Sequence, residues 1–98
     1  MKIRVNVKKS YIAKGLCEDV DKCMVALAIK AALRKIDPIT KTDGFYTSVG
    51  EKEIDFRLFE RYYSIPIIPR VQKLIERFDK HDRKNIKPFS FEINLNKP

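Results

Sequence analysis

Four stretches of this chain alternate apolar and polar side chains with a period of two, and this limits the folds open to it more than any other feature. Ile3, Val5 and Val7 alternate with Lys2, Arg4, Asn6 and Lys8. Phe45, Thr47 and Val49 alternate with Tyr46 and Ser48. Ile54, Phe56 and Leu58 alternate with Glu53, Asp55 and Arg57. Phe89, Phe91, Ile93 and Leu95 alternate with Ser90, Glu92 and Asn94. Successive side chains of a strand point to opposite faces, so each stretch predicts a strand with one apolar face that something must cover. The second and third stretches flank Gly50-Glu51-Lys52, which predicts a hairpin, and Asp43-Gly44 predicts a turn before it.

The cover comes from two segments with helical spacing. In the alanine-rich run from Cys23 to Ile36, Val25, Ile29, Ala32 and Ile36 form one stripe, widened by Ala26 and Leu33. Asp19 and Asp21 precede it, Arg34 and Lys35 close it as the helix dipole favours, and Asp37-Pro38 stops it. Pro69 opens a second helix running to about His81, with Val71, Leu74, Ile75 and Phe78 on its apolar face. A short helical turn over Tyr11 to Lys14 is expected to be capped by Ser10 and ended by a left-handed Gly15. Residues 59–68 read as a connector. The order strand, helix, strand, strand, helix, strand predicts an α+β fold. Its expected form is a four-stranded antiparallel sheet with two helices on one face, in the β-α-β-β-α-β order of ferredoxin-like sandwiches. A chain of 98 residues with 44% hydrophobic content makes one domain over 1–98, with fraying expected only at residue 1 and residues 96–98.

Charge and cysteine usage narrow the function classes. Twenty-one Lys and Arg against thirteen Asp and Glu give a formal charge of +8, which attracts nucleic acid, anionic membrane or an acidic protein. The longest apolar block, Met24 to Ile29, falls far below the roughly 20 residues a membrane span needs, so no membrane partner is expected. Two cysteines are too few for a disulfide framework, which points to a reducing, cytoplasmic setting. Gly15, Gly44 and Gly50 are isolated, so no phosphate-binding loop is present. His81, the only histidine, lies among Lys80, Asp82, Arg83 and Lys84 at a helix end, which suits a solvated residue better than a catalytic one. Cys17, Cys23 and His81 lack a fourth ligand and a metal-site spacing, and no cofactor is expected. An enzyme is disfavoured. Cys23 carries the remaining chemical alternative. At the start of a helix its thiolate would be favoured by free N–H groups, whereas burial and the nearby Glu18, Asp19 and Asp21 oppose ionisation.

Two surfaces are candidates for binding. The connector carries Phe59, Arg61, Tyr62 and Tyr63, residue types that anchor interfaces, and Tyr46 is the one clear aromatic expected on the open sheet face. The same connector can instead fold back and complete the core. Arg70, Lys73, Arg77, Lys80 and Lys84, spaced three, four, three and four, predict a basic ridge for phosphate contacts, and Lys2, Arg4, Lys8, Lys9 and Lys14 form a second basic region. Because Phe56, Phe89 and Phe91 share the phase of the apolar side, no stacking platform for single-stranded nucleic acid is expected. Edge strands offer a further route to partners or to a homodimer.

Ile12 with Gly15, Cys23-Met24-Val25-Ala26-Leu27-Ala28-Ile29, Phe78-Asp79 and Pro88-Phe89-Ser90-Phe91-Glu92 together resemble the pattern of a recurrent group of small tailed-phage and prophage proteins. Met24 stands where that group has proline, and Cys17 to Lys22 is longer. The resemblance implies a phage origin and a host-cytoplasm location, and it brings no catalytic residue. The expectation is a non-enzymatic viral accessory protein that binds a host or phage macromolecule. A protein is favoured as that partner, for example a host or defence factor to be inhibited. The alternative is a nucleic-acid-binding module using the basic ridge.

Overall fold

The structure, a computed structural model, describes residues 2–37, 47–59 and 61–95. In chain order it contains β1 (Lys2–Val7), α1 (Lys9–Lys14), α2 (Met24–Ile36), β2 (Thr47–Val49), β3 (Glu53–Leu58), β4 (Arg61–Pro66), α3 (Pro69–Asp79), a 3-10 turn (Arg83–Asn85) and β5 (Phe89–Asn94). The start of the second alternating stretch, Phe45 and Tyr46, and the Asp43-Gly44 turn lie outside the described residues.

The fold is α+β, but the single four-stranded sheet of the ferredoxin-like order does not form. Instead β1 and β5 pair antiparallel as one sheet, and β2-β3-β4 make a second, three-stranded one. The reason is β4, which occupies the stretch expected to be a connector. The ferredoxin-like order sets the first strand between the last strand and the second strand of the hairpin. Here β1 does find the last strand, with Val5 opposite Phe91 and Ile3 opposite Ile93. Its other expected neighbour, β3, already has both edges filled, with Phe56 opposite Thr47 of β2 and opposite Tyr63 of β4. Among the described residues there are three helices rather than two, because residues 9–14 form a helix of their own.

Burial follows the period-two pattern within each sheet. Ile3, Val5, Val7, Ile54, Phe56, Leu58, Phe91 and Ile93 all lie in one hydrophobic core, and Phe89 packs against it partly buried. α2 packs on β1 and on β2, so one helix serves both sheets. Among the described residues no helix is long and apolar enough to cross a membrane.

Glycine and capping behave differently from expectation. Ser10 does not cap α1, whose N-cap is Lys8 with no side-chain bond. Gly15 has an ordinary φ of −62°, not a left-handed one. What it supplies is room, since a Cβ there would stand 2.6 Å from the Met24 nitrogen and 2.9 Å from both Phe78 Cζ and Tyr11 O. The left-handed role at a helix end belongs to His81, with φ of 66°. Its N–H donates to Phe78 O at 3.0 Å while that of Asp82 donates to Arg77 O at 3.0 Å, the paired bonds that satisfy the last carbonyls of a helix.

Arg83 then ties the N-terminal and C-terminal halves together. Its guanidinium donates to the carbonyls of Ile12 and Ala13 at 3.3 and 2.9 Å, at the end of α1, and lies 4.8 Å from the Phe78 ring centroid. Orphan carbonyls of a six-residue helix thus gain a charged donor from far along the chain.

Gly15→Ala is expected to cost about 1–3 kcal/mol by overpacking between α1, α2 and Phe78. Gly50→Ala, where the nearest atom to an added Cβ is Glu53 O at 3.4 Å, is expected to change stability by less than about 0.5 kcal/mol. Urea midpoints of the two variants check the contrast.

Candidate functional site

The stretch rich in aromatic residues divides between two faces once it becomes a strand. Tyr63 and Ile65 turn toward the core, and the Tyr63 ring stacks on Phe56 with centroids 5.4 Å apart. Tyr62 points the other way, is 72% exposed and lies 5.8 Å from the Arg57 guanidinium, its cross-strand neighbour. Arg61 is exposed as well. Of the proposed partner-binding residues, Phe59, Arg61 and Tyr62 therefore share solvent access, Tyr63 is core packing, and Tyr46 lies outside the described residues.

Phe59 holds the tip of the hairpin in an uncommon way. The pairing of Leu58 with Arg61 leaves two residues to connect β3 and β4, a length that calls for positive φ. Phe59 supplies it with φ of 51°, a conformation bulky residues rarely adopt. Its N–H donates to Asp37 Oδ2 at 2.9 Å, and Asp37, which caps α2, is only 5% exposed. The result is a large aromatic ring, 51% exposed, on a backbone pinned by a buried carboxylate.

The basic ridge is interrupted. α3 ends at Asp79 and His81 turns the chain, so the spacing of three and four continues only through Arg70, Lys73 and Arg77. Lys80 is the C-cap residue of α3 and Lys84 sits in the 3-10 turn. Arg70 donates to Ser90 O at 3.2 Å, and Arg77 is bound to Asp82 at 3.2 Å and to Asn85 O at 3.5 Å. Phe56 and Phe91 are buried and Phe89 is half-buried, so the inner faces keep the rings that base stacking would need.

A cleft of about 890 Å³ opens where four segments meet: the loop before α2, the β2–β3 turn, the end of β4 and α3. Its floor is made by the buried Cys23, Val49, Ile67 and Ile75, the exposed Val20 stands at its side, and its rim carries Glu18, Asp19, Glu51, Glu76 and Asp79 against Lys52 and Lys80. Three bonds from backbone N–H groups join the walls. Val49 donates to Val20 O at 2.8 Å, Ile67 donates to Lys52 O at 2.9 Å, and Glu18 donates to Asp79 Oδ1 at 2.9 Å. Glu18 is itself left-handed, with φ of 59°. Sequence reasoning missed this cleft because its residues come from four separate segments and form no motif. The only local hint was the run of acids at Glu18, Asp19 and Asp21. Among the described residues, no group of three or more His, Cys, Asp and Glu side chains is placed to hold a metal ion.

The two cysteines are free thiols in different settings. Cys17 is half-buried, donates to Phe78 O at 3.0 Å and receives Arg83 Nη2 at 3.4 Å. Cys23 is the N-cap of α2, and its sulfur accepts the Ala26 N–H at 3.4 Å. It is 3% exposed, and burial pushes its pKa above the ordinary value of 9.0, with Asp79 and Asp19 adding to the rise against the backbone N–H bonds. That setting disfavours the nucleophilic thiolate. A thiol that holds its proton more tightly when folded lends stability below the unfolded pKa and loses it as pH climbs through the raised folded value. The stability of the wild-type chain is therefore expected to fall with rising pH above about 9 more steeply than that of Cys23→Ala. Urea unfolding of both proteins from neutral into alkaline pH checks this, and equal slopes would contradict it.

No family of known proteins, no characterised protein and no solved structure matches this chain.

Proposed function

We propose that this chain is a small basic binding protein that captures a protein partner at the β3–β4 hairpin and performs no chemistry of its own. The observation that carries the reading is Phe59. An exposed aromatic residue in a left-handed backbone conformation costs on the order of 1–2 kcal/mol, and such strain persists where the surroundings hold it in place. Asp37 does the holding. Tyr62 and Arg57 extend the surface, and together these side chains present the aromatic and guanidinium groups that dominate binding energy at protein interfaces. The resemblance to small tailed-phage proteins supports a viral accessory role in the host cytoplasm, with inhibition of a host or defence factor as its form.

A nucleic-acid module on the basic ridge is less well supported. The ridge stops at Arg77, and both Arg70 and Arg77 already donate to other groups of the chain.

Phe59→Gly separates function from stability. Glycine tolerates positive φ, so the variant is expected to unfold at higher urea, gaining about 0.5–1 kcal/mol, while losing partner capture from host lysate. Tyr62→Ala is expected to keep its stability and lose the same partner, with or without nuclease treatment. Capture that survives both substitutions would refute the hairpin as the binding surface. Capture abolished by nuclease, and weakened by salt with a slope of roughly 0.9 per phosphate, would favour the ridge instead.

A further inference from the structure

We infer that the cleft between α3, the loop before α2 and the β2–β3 turn docks a cationic segment of a partner protein. One aliphatic or aromatic side chain packs against the exposed Val20, and lysine or arginine side chains lie along its carboxylate rim. The site is independent of the hairpin tip. β4 runs from that tip at Arg61 to the cleft at Pro66, about 17 Å at 3.3 Å per residue.

Charge selects the occupant. Five carboxylates face two ammonium groups around this opening, although the chain as a whole carries +8. At physiological ionic strength exposed charges are screened over about 8 Å, so a ligand entering the cleft meets the rim rather than the distant lysines. Among the described residues no rim carboxylate is paired with a cationic side chain, and the Arg77–Asp82 pair lies outside the cleft. The negative field extends to the floor, where Asp79 and Asp19 act on the Cys23 thiol.

Shape separates a peptide from simpler cations. The carboxylates do not converge on a point, since no three of them are placed to hold a metal ion. They are spread around an opening of about 890 Å³, within the range of pockets that enclose sizeable ligands. A polyamine would match the rim but leave the side chain of Val20, 48% exposed, uncovered. Spaced cations flanking an apolar side chain match both.

The probe is a fluorescently labelled peptide of alternating lysine and leucine, read by anisotropy against the full chain. It is expected to bind at least about tenfold more tightly than a lysine–serine peptide or a glutamate–leucine peptide of equal length, and to weaken as salt is added. The double variant Glu51→Gln with Glu76→Gln alters two exposed side chains that accept no hydrogen bond from the described residues. It is expected to lose about tenfold in affinity with unchanged circular dichroism and urea midpoint. Tyr62→Ala should bind the probe as the wild type does, which keeps failure of this site distinct from failure of the hairpin. Unchanged binding by the glutamine variant, or equal binding by either control peptide, would overturn the proposal. So would self-association in sedimentation that the glutamine variant abolishes, because the cleft's occupant would then be a second copy.

Discussion

Burial of α2 on more than one side is the constraint on which the rest of the structure depends. Met24, Val25, Ala26, Ala28, Ile29 and Leu33 are all buried, and at 3.6 residues per turn they cover an arc of about 200°. A two-stranded sheet such as β1–β5 has little stability alone, and the three-stranded sheet likewise has an apolar face to hide. By packing on β1 and on β2, α2 joins them into one core, and its alanines let the backbones approach closely. The helix also places both candidate surfaces. Its N-cap, Cys23, forms part of the cleft floor, and the carboxylate of its C-cap, Asp37, holds the Phe59 turn. With 13 residues at 1.5 Å each, α2 sets those anchors about 20 Å apart.

Most of the elements were legible in the sequence, and their assembly was not. Period-two alternation located β1, β3 and β5, and the three-four stripe located α2 and α3, because each of those segments has one buried face. β4 escaped for a physical reason. It is an edge strand with Tyr62 and Tyr63 adjacent and Pro66 at its end, so aromatic bulk on both faces masks the alternation of Tyr63 and Ile65 with Tyr62 and Ser64. Missing that strand reassigned an edge of β3, and one reassigned edge was enough to change a four-stranded sheet into two smaller ones. The candidate surfaces were legible to a similar extent. Phe59 and Tyr62 stood out by residue type, whereas which of Tyr62 and Tyr63 faces solvent depends on register with Arg57 and Phe56, set by the two-residue turn.

Among the described residues three other than glycine have positive φ, and comparing them shows what strain does and does not imply. The N–H of His81 donates to Phe78 O, that of Phe59 to Asp37, and that of Glu18 to Asp79, so each left-handed residue is stabilised by one specific bond. For His81 the bond is part of how α3 ends, which accounts fully for the conformation. Phe59 and Glu18 end no helix. Their acceptors are carboxylates from other segments, and the strained residues present a ring at the hairpin tip and an acid at the cleft rim. Side-chain placement, rather than strain itself, distinguishes these two positions.

The acidic rim on a basic chain raises the question of what keeps the cleft open. Like charges gathered around an opening repel one another, and no ion pair within the described cleft offsets that repulsion. Backbone hydrogen bonds hold the walls instead. Val49 to Val20 joins β2 to the loop before α2, and Ile67 to Lys52 joins the end of β4 to the β2–β3 turn. These bonds do not depend on the rim's ionisation, so the cleft's shape is set without neutralising its charge. Of the rim carboxylates, Asp79 accepts the Glu18 N–H and Asp19 accepts those of Asp21 and Lys22 among the described residues. Glu51 and Glu76 are left to act on whatever enters, and an incoming cation meets them without first breaking an internal pair.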